Sequence, residues 1–220
     1  MNVTHHGSYL TQLTRLGAFS CYLVRDDDGF TLVDTGLSGS APAIIAAAKE
    51  LGMPIVRIAI THAHIDHVGS LDALHGLLPQ ADVLVSARDA RFMAGDMTLD
   101  PSEPQAKLRG GFPKIDTTPT RLLAQGDRVG SLEVVAAPGH TPGQVAFFDT
   151  RDRTLLAGDA FYSVGGVAVA STMRWWFPFP TLATWHAPTA LATARKLRDL
   201  APARLAVGHG PVVAQPGAAV

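Results

Sequence analysis

A single cysteine, Cys21, leaves this 220-residue chain unable to close an intramolecular disulfide, so nothing in it calls for an oxidising compartment. Met1 to Gly7 lacks a basic segment followed by an apolar one, and no apolar run approaches the roughly 18 residues of a membrane span. Neither an export signal nor a transmembrane helix is expected, and a cytoplasmic setting follows as the expectation. A formal net charge of -1, with 18 Lys and Arg scattered along the chain, provides no basic stripe for nucleic acid. No Ser/Gly-rich or highly charged linker divides the chain, so residues 1–220 read as a single domain. Charged residues are only 17% of the total against 47% hydrophobic, which excludes disorder and leaves enough apolar side chain for one substantial core.

What is present alternates between two periods. Phe19-Ser-Cys-Tyr-Leu-Val24 and Phe30-Thr-Leu-Val-Asp34 are β-rich runs around the acidic turn Asp26 to Gly29, which reads as a hairpin. Ala41, Ile44, Ala48 and Leu51 fall at helical spacing, with Ser40 as the expected N-cap and Gly52 just past the end. A strand over Pro54 to Thr61 leads into a histidine-laden stretch and then a helix over about Val68 to Leu78. Another strand (Asp82 to Ser86) and a short helix (Ala87 to Met93) precede Gly95 to Thr120, which loses periodicity and gathers prolines as a long loop does. The second half repeats the grammar. Strands are expected near Leu132 to Ala136, Gln144 to Phe148, Arg153 to Leu156 and Arg204 to Val207, with a helix over Thr189 to Leu200, and the arrangement suggests two similar α/β halves.

The chemistry gathers where the strands end. Thr61-His-Ala-His-Ile-Asp-His-Val-Gly69 packs three imidazoles and a carboxylate into six residues, a density that a loop can fold around metal ions. Nitrogen and oxygen donors without thiolate suit Zn and also Fe, Mn or Co.

This stretch resembles the His-x-His-x-Asp-His motif of the metallo-β-lactamase superfamily. Pro138-Gly-His-Thr-Pro-Gly143, Ala157-Gly-Asp-Ala160 and Gly208-His-Gly-Pro211 resemble the later metal motifs in the family's order, and Leu32-Val-Asp-Thr-Gly36 its early Asp-containing turn. The resemblance spans nearly the whole chain and implies a four-layer α/β-β/α sandwich with metals at one edge. It implies that His62, His64 and His140 hold one divalent ion and Asp66, His67 and His209 a second, with Asp159 bridging them. A water between two such ions loses a proton near neutral pH, giving a bridging hydroxide for hydrolysis. Asp66 could then move a proton to the leaving group. Asp34 is expected to orient a ligand histidine from outside, although an Asp-Thr-Gly turn can also simply end a strand.

The substrate is a small molecule on this reading. Tyr162 lies three residues after Asp159, an offset similar to that of the tyrosine beside the metals in acyl-homoserine lactone lactonases, which would make its hydroxyl an oxyanion donor; plain packing is the alternative. Trp175, Trp176, Phe177 and Phe179, with Phe112, Met93 and Met97, could wall an apolar pocket or form a homodimer contact. Lactone or carboxylic ester hydrolysis is therefore expected, with thioesters and phosphodiesters or organophosphates as alternatives on the same site. Lys107, Arg109, Lys114 and Arg174 are the candidate phosphate contacts. Glutathione thioesterase action is disfavoured because the chain ends soon after His209, and a β-lactamase proper because no export signal is seen. A mononuclear iron persulfide dioxygenase is the alternative of another class. His5 and His6 are expected in a mobile terminus, and His75 and His186 outside the site.

Overall fold

The computed structural model describes residues 1–217. The first half builds β1 (Asn2–His6), β2 (Leu10–Arg15), β3 (Phe19–Arg25) and β4 (Phe30–Val33), then α1 (Ala41–Glu50), β5 (Ile55–Ala59), α2 (Ile65–Val68), α3 (Leu71–Leu77), β6 (Asp82–Ser86), α4 (Ala87–Met93) and β7 (Arg121–Leu123). Its seven strands lie side by side in chain order, antiparallel through β4 and parallel from β4 to β7. The second half builds β8 (Arg128–Val129), β9 (Leu132–Ala136), β10 (Val145–Asp149), β11 (Thr154–Leu156), the hairpin β12 (Phe161–Tyr162) and β13 (Ala168–Val169), α5 (Phe179–Ala183), α6 (Ala187–Asp199), β14 (Arg204–Ala206) and β15 (Val213–Ala214). Six of these strands form a second sheet in the order β15-β14-β11-β10-β9-β8.

Strand alternation stacks the layers. On β3, Cys21 and Leu23 point into a core shared with Ile44, Leu74 and Phe92 of α1, α3 and α4, while Tyr22 and Val24 point the other way. That other core meets Val145 and Phe147 of β10, whose neighbours Ala146 and Phe148 face Ala194 and Leu197 of α6. Helices, sheet, sheet and helix thus succeed one another as the α/β-β/α sandwich requires. Each fully buried Leu, Val or Phe in these cores contributes about 1.5–3 kcal/mol, so the central layer between the sheets binds the halves together. Among the described residues no helix is long and apolar enough to cross a membrane.

Three local expectations need correction. The N-terminus is a strand, with His5 Nδ1 3.1 Å from Thr11 Oγ1 and His6 Nε2 3.1 Å from Gln12 Oε1. Ser40 does not cap α1 through its side chain; its hydroxyl donates to the Leu37 carbonyl instead. The helix expected over Val68 to Leu78 starts only at Leu71, and Val68 instead ends the separate short α2 before Gly69, where a Cβ would lie 2.4 Å from the Ile65 carbonyl oxygen and 2.6 Å from the Ser38 nitrogen. The long loop is present as expected, but it is tied down: Arg88 pairs with Glu103, Arg91 with Asp96 and Asp100, and Asp72 accepts from Thr117.

Candidate metal centre

Every candidate ligand, and Asp34 behind them, follows the C-terminal end of a strand. Asp34 follows β4, His62 to His67 follow β5 and run into α2, His140 follows β9, Asp159 follows β11 and His209 follows β14. The last three strands share one direction, because β9 and β11 each run antiparallel to β10 and β11 runs parallel to β14. Loops of the two sheets meet through the Val145 N–H donating to the Thr61 carbonyl and the Ser20 N–H donating to that of Gly208. Close approach requires glycine at Gly208, since a Cβ there would stand 2.1 Å from Asp159 Oδ1 and 2.6 Å from His67 Cε1.

The structure brings all seven residues together in two groups. His62, His64 and His140 form a buried trio; Asp66, His67, Asp159 and His209 form a quartet, and within each group the donor atoms lie within 4.8 Å of one another. Asp159 touches both: its Oδ2 is 3.4 Å from His140 Nε2 and 2.9 Å from His209 Nε2, and its Oδ1 is 3.4 Å from His67 Nε2. Asp66 Oδ2 sits 3.2 Å from His209 Nε2.

Outer contacts dictate which imidazole nitrogens carry protons. Asp34 holds φ +62°, an unusual backbone state for a non-glycine residue, and turns its carboxylate inward. That carboxylate accepts from the Thr61 N–H at 2.8 Å, from the Thr61 hydroxyl at 2.8 Å, and from His67 Nδ1 at 2.8 Å. With its proton given to Asp34, the Thr61 hydroxyl can only accept from His62 Nδ1, 3.0 Å away. The Arg109 carbonyl, 3.0 Å from His64 Nε2, can likewise only accept. His62 and His67 therefore aim Nε2 inward, and His64 its Nδ1.

Electrostatics divide the groups. Burial pushes all three trio histidines down, His64 to about 4 and His140 to about 3, so their inward nitrogens carry lone pairs at neutral pH. In the quartet, burial acts the same way on His67 and His209 but is outweighed by carboxylates. Asp34, Asp159 and Asp66 lift His67 well above its usual value, and Asp159 and Asp66 raise His209 to about 9. Burial opposes ionisation of Asp66 too, yet His67 and His209 bring it down to about 2.

The fit to metal ions rests on unsatisfied atoms. His62 Nε2, His67 Nε2 and Asp159 Oδ1 are buried without a hydrogen-bond partner, all face the cluster, and are all good ligands for divalent cations. A set of five imidazoles and two carboxylates with no thiolate suits such ions and does not choose among Zn, Fe, Mn and Co.

A cavity of about 330 Å³ opens onto the centre, with Asp66, Asp159, His64, His140 and His209 at its base. Its walls are Phe19, Leu37, Ile65, Phe179, Pro180, Leu182 and Ala183, with Gly110 and Gly111 from the long loop. Among the described lining residues none is Lys or Arg. Of the expected wall, Phe179 lines the cavity, Phe112 packs on His64 (ring centroids 4.6 Å apart) and Phe177 on His209 (5.5 Å). Met93 lies in the core, Met97 is exposed, and Trp175 and Trp176 are 85% and 68% exposed.

Tyr162 is elsewhere. Its hydroxyl donates to the Thr172 carbonyl at 2.7 Å, Arg174 lies over its ring, and it is not among the residues lining the cavity. Pairing of β12 with β13 turns the side chain toward Phe177 and Ala168. Arg174 is spent on the carbonyls of Val164, Gly166 and Val167, and His186 pairs with Thr189 at the start of α6. Arg109 contributes its carbonyl, not its charge.

Sequence reasoning missed Asp89. Fully buried, it accepts from the Ala63 N–H, the Thr141 hydroxyl and the Gly143 N–H, tying the first histidine loop to the His140 loop, and burial raises it to about 6. An Asp in a short helix reads as a solvated residue, so no local signal marked it. Phe19, Leu37 and Leu182 were missed because they reach the cavity from three distant segments.

YobT of Bacillus subtilis is 48% identical over 208 residues, covering 94% of this chain and 89% of that protein. The probable metallo-hydrolase YflN of the same organism is 30% identical, covering 86% and 78%. The hydroxyacylglutathione hydrolase GloC of Haemophilus influenzae is 29% identical over 66% of this chain and 68% of its own. Among solved structures, TTHA1623 in a di-iron-bound form superposes with a TM-score of 0.69 at 28% identity, over 94% of this chain and 95% of that one. The BLEG-1 B3 metallo-beta-lactamase, at 22% identity and a TM-score of 0.69, shares the fold. The sequence pattern of the metallo-beta-lactamase superfamily matches residues 15–209, and the chain belongs to that superfamily.

Proposed function

We propose that this protein is a dinuclear metal-dependent hydrolase of a lactone or carboxylic ester with an apolar acyl group. The observation that carries the reading is Asp159, whose carboxylate reaches a histidine of the trio and two of the quartet at once. His62, His64 and His140 would hold one ion, Asp66, His67 and His209 the other, and Asp159 both. Zn is the first choice, and the di-iron form of TTHA1623 supports iron as the alternative. Ions held there supply Lewis acidity and bring the pKa of a water near neutrality.

The chain's own residues supply the rest. Asp66 is ionised, lies at the cavity base and has 16% of its side chain exposed against 1–3% for His67, Asp159 and His209. It is thus the carboxylate best able to take a proton from the attacking water and return it to the departing alkoxide. Asp34 fixes the orientation of His67 directly and of His62 through Thr61. Ile65, Phe179 and Leu182, each about half exposed or more, offer an apolar surface for an acyl chain and exclude water from the reacting carbonyl. The absence of a cation from the described lining disfavours phosphodiesters, which want Arg or Lys on their oxygens.

Thioester hydrolysis is the second reading, supported by the similarity to GloC. A panel of lactone, aryl ester, thioester, phosphodiester and β-lactam tests the proposal. Turnover of the lactone or aryl ester well above the others is expected, and preference for the phosphodiester or β-lactam would overturn it.

A further inference from the structure

Three trio and quartet histidines owe their tautomers to Asp34, Thr61 and Arg109; the fourth case, His140, involves a residue with no assigned role. His140 Nδ1 lies 3.0 Å from the hydroxyl of Thr184, which follows α5. That hydroxyl also lies 2.7 Å from the Pro180 carbonyl, which can only accept a hydrogen bond. A hydroxyl has one proton, and here it goes to Pro180. Towards His140 the oxygen can therefore only accept, which places the imidazole proton on Nδ1 and leaves the lone pair on Nε2.

The consequence is sharp because of what Nε2 faces. His64 Nδ1 is 3.0 Å away, and its own lone pair points inward because the Arg109 carbonyl holds the proton on Nε2. In the other tautomer, His140 would donate Nε2–H to His64 Nδ1. The two ligands would then satisfy each other with a buried hydrogen bond, and the trio would close against a cation. In the tautomer the structure supports, two lone pairs confront each other 3.0 Å apart, an arrangement that a shared cation would relieve.

We propose that Thr184 is a positioning residue that prevents this self-closure and keeps His64 and His140 open to metal. The inference rests on the metal-centre reading above. It also gives α5 and its C-cap residue Thr184 a double duty: Phe179, Pro180, Leu182 and Ala183 line the cavity, so the element that would contact the proposed acyl group also holds a ligand's tautomer.

The test uses the full-length chain with histidine nitrogens labelled, as wild type, Thr184→Val and Thr184→Ser. Valine keeps the shape and removes the acceptor; serine keeps the hydroxyl. Nitrogen NMR of the metal-free protein reads the tautomer, and chelator competition with Zn or Co reads the affinity of each subsite. Expected for Thr184→Val are the appearance of an Nε2–H signal for His140 and a loss of about 10- to 100-fold in one of the two metal affinities, with Thr184→Ser like wild type. Two metals held by Thr184→Val as tightly as by wild type, or an equal loss at both subsites, would overturn the inference. If wild type fails to bind a second metal, the dinuclear reading falls while the tautomer measurement still decides the role of Thr184.

Discussion

The trio and the quartet share one carboxylate and differ in almost everything else. His62, His64 and His140 are neutral imidazoles pressed together by burial, with no carboxylate of their own. The quartet places Asp66 and Asp159 against His67 and His209, with Asp34 behind His67, so in the absence of metal it keeps protons on its imidazoles. On the proposed dinuclear reading, the trio would take a cation at neutral pH without losing protons, whereas the quartet would exchange protons for one. The lesson is that the three histidines of one group and the two of the other differ less by number than by the carboxylates that face them.

That comparison can be broken at its shared member. Asp159→Ala removes the carboxylate that reaches both groups, and ester turnover should fall by at least about 10³-fold, with metal content dropping at both subsites in elemental analysis. Asp66→Asn strikes the quartet alone. Turnover should fall by roughly 10²- to 10⁴-fold through the lost proton transfer, while chelator titration still finds the trio ion bound; loss of both ions together would show that the groups are not separable.

The pH dependence sharpens the contrast. His209 is raised to about 9 and His67 stands well above its ordinary value, so below pH 9 the metal-free quartet holds protons that a metal ion must release. Its affinity should weaken as pH falls from about 9 towards 6. His64 and His140 stay unprotonated down to about 4 and 3, so trio affinity should change little over the same range. Competitive chelator titrations between pH 6 and 9 distinguish the two slopes, and parallel slopes would contradict the division. The smallest effect belongs to Tyr162. Because its hydroxyl serves Thr172, Tyr162→Phe should alter turnover by less than about twofold, where an oxyanion donor would cost 10²-fold or more.

The clustering of the candidate ligands was legible because His62, His64, Asp66 and His67 crowd into one short stretch. The layers were legible too, since alternation along β3 and β10 and the helical spacing of Ala41, Ile44 and Ala48 are set by burial. What held those ligands in place was not. Thr61, Thr184 and the Arg109 carbonyl act through single hydrogen bonds that leave no pattern in residue type, and Asp89 looks like any polar helix residue until its helix is packed. Tyr162 misled because an offset along the chain does not say which way a two-residue strand turns its side chain. The cavity wall was half read: Phe179 belongs to it, but Trp175 and Trp176 face solvent.

Elemental analysis of tag-free protein, at neutral pH and without chelator, tests the central claim most directly. Two divalent ions per chain are expected, both lost in Asp159→Ala. One iron per chain, with no hydrolysis of lactone, ester or thioester, would contradict it and turn the case towards a mononuclear oxygenase.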